Sequence, residues 1–166
     1  MTGFRVGQGI DFHRFDPMRE MILGGVRLDV SYGLAGHSDA DVLLHAVMDA
    51  LLGAAGLGDI GMLFPDTDDT YRDADSTQLL KQVLQDVREA GLQPVNLDVT
   101  VIGQQPKINP WREAIRSNLA RILDIAETRV NIKATTTETM GSLGRKEGLA
   151  CSAIVLLVQI NKDVPR

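Results

Sequence analysis

A single cysteine, Cys151, excludes an internal disulfide and any cluster of thiolate metal ligands. It lies in the apolar run Leu149 to Val158, where an inert buried thiol is expected. Blocks of like charge are missing too, and the formal net charge is -5, which argues against the clustered Lys and Arg of a nucleic-acid surface. No apolar stretch reaches the roughly 18 residues that span a bilayer. Met1 to Gln8 contains no apolar segment of the signal-peptide kind. These absences point to a soluble protein of a reducing compartment, most simply the cytoplasm. No repeat, low-complexity tract or linker interrupts the 166 residues, so one domain over 1–166 is expected. A chain near this length buries roughly 70% of its unfolded surface and holds a core without staples.

The chemistry is concentrated near the start of the chain. All three histidines fall between Gly7 and Asp49. Phe4 to Ile10 alternates apolar with small or polar residues, a strand pattern that ends at Asp11-Phe12-His13. Residues two apart on a strand leave the same face, so Asp11 and His13 are expected to point together. His45 falls one turn into a helix that Ser38 or Asp39 caps and that runs to about Ala55. Asp41 and Asp49 lie four residues to either side of His45 on the same helical face. Asp11, His13 and His45 together form a three-ligand zinc set that leaves a fourth position open. The bland alternative is three unrelated residues, with His45 filling a core edge. Asp49, with Asp41, is a candidate to support the His45 ring from behind, or else a solvated helix charge. His37 and Ser38 at a helix start suit a phosphate, although an ordinary cap needs only the serine.

Further along, Met21 to Leu23 and Val26 to Val30 read as a hairpin, and Tyr32 to His37 as an exposed, mobile loop. Gly58 to Asp69 is a long acidic loop whose Asp59, Asp66, Asp68 and Asp69 either bind a metal or sugar hydroxyls or are simply solvated. A helix capped by Ser76 runs to about Ala90, and another starts at Asn109-Pro110 and runs to about Leu123. Strands are expected at Val95 to Val101, Val130 to Ala134 and Leu149 to Ile160, with a glycine-rich loop from Gly141 to Gly148. Thr135-Thr136-Thr137-Glu138 follows a strand, which suits a nucleotide with a hard metal ion but also an ordinary threonine-rich strand end. Gly7-x-Gly9 lacks the third glycine and following helix of a dinucleotide fingerprint.

About three helices and five strands predict an α+β sandwich, with a mainly four- to five-stranded mixed sheet and helices on one face. Three helices are too few to cover both faces. Other copies of the chain are expected to pack on the second.

Several stretches together resemble the 2-C-methyl-D-erythritol 2,4-cyclodiphosphate synthase family over nearly the whole chain. They are Gly9-Ile10-Asp11-Phe12-His13, His37-Ser38-Asp39-Ala40-Asp41 through His45, Gly58-Asp59-Ile60-Gly61 with Leu63-Phe64-Pro65-Asp66-Thr67-Asp68, Pro106-Lys107, and Ala134-Thr135-Thr136-Thr137-Glu138 with Gly144-Arg145. The resemblance implies a homotrimer with active sites between subunits. It implies Zn²⁺ on Asp11, His13 and His45, and Mg²⁺ or Mn²⁺ near Glu138 with the diphosphate. Cytidine would sit among Gly103, Pro106, Lys107, Ile108, Ala134, Thr135 and Thr136, with Arg145 nearby. The sugar phosphate would meet His37, Ser38, Asp59, Ile60, Gly61, Phe64, Asp66 and Asp68, and His37, Lys107 and Thr136 would stabilise the transition state. The implied reaction converts 4-diphosphocytidyl-2-C-methyl-D-erythritol 2-phosphate to the cyclic diphosphate and CMP. Ser142 and Ile10 depart from the family, which often has aromatic residues there around a cavity on the threefold axis. Two competing readings are a zinc phosphohydrolase, in which water attacks, and a nucleotide-binding module whose zinc is structural.

Overall fold

The computed structural model describes residues 3–65 and 67–160. Its frame is a long strand, β1 (Phe4–Asp16), laid against a helix, α1 (Val42–Ala55), that is buried nearly all round. Every residue of α1 except Asp49 and Gly53 is buried, as expected of a helix whose apolar residues occupy the whole circumference. Gly56 closes it in the left-handed conformation, with φ at 75°.

Among the described residues seven strands form two sheets. The larger has the order β4-β1-β7-β5-β6, built from β4 (Gly33–Leu34), β5 (Leu92–Ile102), β6 (Val130–Thr135) and β7 (Gly148–Gln159). β5 and β6 run parallel and the other neighbours antiparallel, so the sheet is mixed, as the sequence predicts. The smaller sheet is the hairpin of β2 (Met21–Leu23) and β3 (Val26–Leu28). Helices α3 (Ser76–Glu89) and α4 (Arg112–Leu123) join α1 in the core. Two short helices, α2 (Ile60–Leu63) and α5 (Gly141–Gly144), occupy stretches that read as loops.

Gly7 and Gly9 have a packing purpose in place of a phosphate-binding one. A Cβ on Gly9 would lie 2.0 Å from the carbonyl oxygen of Ala46, and one on Gly7 would lie 2.0 Å from that of Ala50. Only glycine lets β1 and α1 approach this closely. The odd-numbered face of β1 therefore lies against α1, and Asp11 and His13 continue it. Gly9→Ala is expected to destabilise the protein by roughly 1–3 kcal/mol, or to prevent folding, because the added methyl meets the carbonyl oxygen of Ala46 and the backbone nitrogen of Ala50, neither of which can yield cheaply. Urea unfolding measures this, and unchanged stability would contradict the close approach.

The even-numbered face of β1 is open. Phe4, Val6 and Phe12 are 61%, 69% and 64% exposed, Ile10 lies between them, and Ile154 continues the stripe on β7, where it pairs with Gln8. A contiguous apolar stripe of this kind marks an interaction surface.

Several boundaries differ from the sequence reading. The cap of α1 is Asp41, not Ser38 or Asp39, and Ala40 just before it has φ at 59°. All three are good capping residues; the tertiary contact described below selects Asp41. The cap of α3 is Asp75, whose carboxylate accepts from the N–H of Thr77, and Ser76 is already helical. Gly33 and Leu34 are buried and pair with Asp16 and Phe15, so the segment from Tyr32 to His37 is partly a sheet edge and not an exposed loop.

Candidate functional site

The alternation of β1 brings Asp11 and His13 to the side facing α1, and the first turn of α1 presents His45 to them. Asp11 Oδ2 lies 2.9 Å from His13 Nε2 and 3.0 Å from His45 Nδ1, and the two nitrogens are 3.1 Å apart. Tetrahedral coordination with bonds of about 2.0 Å puts donor atoms about 3.3 Å apart, so these separations match the edges of one coordination polyhedron. Among the described residues this is the group of side chains placed to hold a metal ion.

The other ring nitrogens fix which atoms carry lone pairs. His13 Nδ1 lies 2.6 Å from the carbonyl oxygen of Ala35, which can only accept, so Nδ1 carries the hydrogen. His13 Nε2 is then free of hydrogen in the neutral ring. His45 Nε2 faces the hydroxyls of Ser38 at 3.1 Å and Ser76 at 3.2 Å. The Ser76 hydroxyl donates to Asp39 Oδ1 and so accepts from His45, which leaves His45 Nδ1 with its lone pair. Three electron-rich atoms thus converge within about 3 Å, an arrangement that requires a cation between them, a proton or a metal. The donor set fits a divalent metal.

Titration follows the same geometry. Burial pushes the Asp11 carboxyl up, but hydrogen bonds and charge from His13 and His45 outweigh it and hold the group well below the usual carboxylate range. Burial lowers His13, yet its bonds to Asp11 and Ala35 prevail and raise it above an ordinary histidine. A metal must displace the proton that His13 retains. Affinity for a divalent ion should therefore fall as pH drops through the raised His13 range, by about tenfold per pH unit for each proton displaced. Competition titrations across roughly pH 5 to 8 check this, and a flat profile would contradict it.

The triad forms one wall of a cleft of about 380 Å³. His37, Ser38, Ile60, Gly61 and Phe64 line it, together with Tyr71 and Leu79, to which the sequence assigns no such place. Asp59 is not among the lining residues; it caps α2 by accepting from the N–H of Met62. Asp68 contributes its carbonyl oxygen, 3.2 Å from His37 Nε2. Asp66 lies outside the described residues. Arg19, also missed, donates to the carbonyls of Gly36 and Ser38 and ties down the turn that carries His37.

Asp41 and Asp49 do not hold the His45 ring. Asp41 is fully buried and accepts from the N–H groups of Gly24, Gly25, Leu43 and Leu44, joining the β2–β3 turn to the start of α1. Asp49 accepts from the N–H of Ile60, 2.9 Å away, and anchors α2 at the edge of the cleft. Burial raises its carboxyl above the usual range despite that bond. The ring nitrogen that the sequence reading gave to Asp49 belongs to two serines. Ser76 is 31 residues away on α3, where no helical spacing reveals it.

A second cleft, of about 280 Å³, lies at the C-terminal ends of β5 and β6. Gly103, Pro106, Lys107, Ile108, Ala134, Thr135 and Thr136 all line it. Gln104 lines it too, and its buried Nε2 has no hydrogen-bond partner among the described residues. Arg145 does not line it and instead pairs with Glu147 at 2.6 Å. Beside the cleft the Thr136 hydroxyl donates to Glu138 Oε1 at 2.8 Å, and Glu138 and Thr139 both have positive φ, at 50° and 66°. Two successive strained residues at a strand end are of the kind retained at functional sites. The two clefts share no lining residue.

Comparison with known proteins gives concordant results. The model of the YgbB family matches residues 4–158. A 2-C-methyl-D-erythritol 2,4-cyclodiphosphate synthase from Geobacillus sp. is 55% identical over 154 residues, covering 93% of this chain and 98% of the relative. One from Bordetella avium is 56% identical over 156 residues, covering 94% and 96%. Among solved structures, the bifunctional IspDF of Campylobacter jejuni superposes with a TM-score of 0.93 at 46% identity, over 97% of this chain and 44% of that one. IspF of Plasmodium falciparum, solved as a CDP complex, gives 0.84 at 33% identity over 96% and 98%.

Proposed function

This chain belongs to the YgbB family and forms 2-C-methyl-D-erythritol 2,4-cyclodiphosphate in the non-mevalonate isoprenoid pathway, and we propose the following account of how its two clefts do so. The substrate is 4-diphosphocytidyl-2-C-methyl-D-erythritol 2-phosphate. An oxygen of the 2-phosphate attacks the diphosphate phosphorus nearer the sugar. That P–O bond forms as the bond to CMP breaks, with no water consumed. The attacking phosphate is already an anion, so no general base is needed. Alignment and charge neutralisation carry the rate, as in other phosphoryl transfers.

The observation that carries this reading is the convergence of Asp11 Oδ2, His13 Nε2 and His45 Nδ1 beside a cleft lined by His37 and Ser38. When bound, a divalent ion at the triad, which we assign as Zn²⁺, and a Mg²⁺ or Mn²⁺ ion at Glu138 supply the positive charge that polarises the attacked group and steadies the departing CMP. His37 and Ser38 bind the sugar phosphate, with Ile60, Gly61 and Phe64 forming the wall. Asp59, at the cap of α2, and Asp68, whose carbonyl faces His37, border the sugar subsite. The second cleft takes the cytidine, where Lys107 and Thr136 face the phosphates and Arg145 flanks them. Asp41 and Asp49 act at one remove, by fixing α1 and α2.

A homotrimer with sites between subunits accounts for two features together. The exposed stripe of Phe4, Val6, Ile10, Phe12 and Ile154 needs cover, and two clefts with no lining residue in common need to meet. We assign a single domain over residues 1–166 and a cytoplasmic location; no described helix is long and apolar enough to cross a membrane.

Turnover in oxygen-18 water tests the reaction class. Internal attack leaves CMP and the cyclic product unlabelled, whereas label in CMP or in a sugar phosphate would establish hydrolysis instead.

A further inference from the structure

Asp39 and Ser76 stand behind the triad and line neither cleft. Ser76 is completely buried at the start of α3, and its hydroxyl lies 3.2 Å from His45 Nε2. Its one hydrogen goes to Asp39 Oδ1. Asp39 is held in turn: its Oδ2 accepts from the N–H of Ser76 at 3.0 Å, its Oδ1 accepts from the N–H of Asp41 at 3.3 Å, and its own N–H donates to the carbonyl of Ala74. A carboxylate with no hydrogen of its own thus compels the serine to offer His45 a lone pair.

We propose that Asp39 and Ser76 form a positioning relay that holds His45 with its hydrogen on Nε2 and so keeps Nδ1 available as a metal donor. The inference rests on the assignment of a metal to the triad. Ser38 does not duplicate this role. Its oxygen faces His45 Nε2 at 3.1 Å and accepts from the N–H of Ala40, but its hydrogen is committed to no carboxylate, so Ser38 can donate or accept and does not by itself fix the ring hydrogen. Were Ser76 free to donate to Nε2 instead, the ring hydrogen would move to Nδ1, the atom that must bind the ion. Partners of metal-bound histidines typically contribute about 10- to 100-fold in affinity.

The test is Zn²⁺ affinity by competition with a chromophoric chelator, alongside the urea midpoint of each metal-free protein. Ser76→Ala is expected to weaken Zn²⁺ binding by about 10- to 100-fold with a midpoint close to the parent. Ser76→Thr, which keeps the hydroxyl, restores most of the loss. Asp39→Asn, which leaves the serine in place but replaces an acceptor by a donor, weakens binding in the same direction, and it carries the test if Ser76→Ala does not fold. Affinity within about threefold of the parent in both Ser76→Ala and Asp39→Asn overturns the relay, as does a threonine variant as weak as alanine. A parent protein that binds no Zn²⁺ overturns the metal assignment itself, a result distinguishable from either.

Discussion

His45→Ala is expected to abolish cyclic diphosphate formation while the protein stays folded. The substitution removes one of three converging donors and leaves Asp11 and His13 to hold an ion between them. Loss of a preorganised charge at a phosphoryl centre costs on the order of 10³-fold in rate. Stability should change much less. His45 is at the edge of the core at 9% exposure, and its loss costs about 1–3 kcal/mol, within the reserve of an ordinary domain. The surrounding core of Leu44, Met48 and Leu52 is untouched. Circular dichroism and product formation, measured on the same preparation, check both halves. An unfolded variant would indicate structural zinc, and turnover within about tenfold of the parent would remove the triad from the mechanism.

Two inactive variants, mixed as subunits, are expected to recover activity. His45→Ala damages the first cleft, and Glu138→Ala damages the edge of the second. If each active site joins the first cleft of one subunit to the second cleft of its neighbour, random reassembly of equal amounts gives intact sites. Half of the first clefts and half of the second are sound, so about one quarter of the parent activity should return. If both clefts of a site came from one chain, every site would carry a lesion and mixing would restore nothing. The experiment needs no interface structure, because the arithmetic separates the two arrangements.

The parts of this protein that were legible in its sequence are those governed by local periodicity. The period-2 pattern of β1 placed Asp11 and His13 on one face, and the apolar run from Val42 to Ala55 placed His45 on a helix start. The strict alternation of Val95 to Val101 marked β5. What remained hidden depends on contacts between distant segments. Ser38, Asp39 and Asp41 are all suitable caps, and only the turn at Gly24 and Gly25, which donates to Asp41, decides among them. Asp49 has the right helical spacing to meet His45, but α2 claims it through Ile60, and Ser76 on α3 takes the ring nitrogen instead. Leu34 reads as loop because a two-residue strand has no period to detect; its pairing with Phe15 exists only once β1 is in place. Gly7-x-Gly9 carried a signal, though not one of phosphate binding, since the reason for it lies in the Ala46 and Ala50 carbonyls across the core.

The most direct measurement is the metal content of the purified protein together with CMP release from the diphosphocytidyl substrate, before and after chelation. The account predicts a divalent ion at the triad, CMP and cyclic diphosphate formed in equal amounts, loss of both on chelation and return of both with Zn²⁺. Undiminished turnover by the metal-free protein would contradict it.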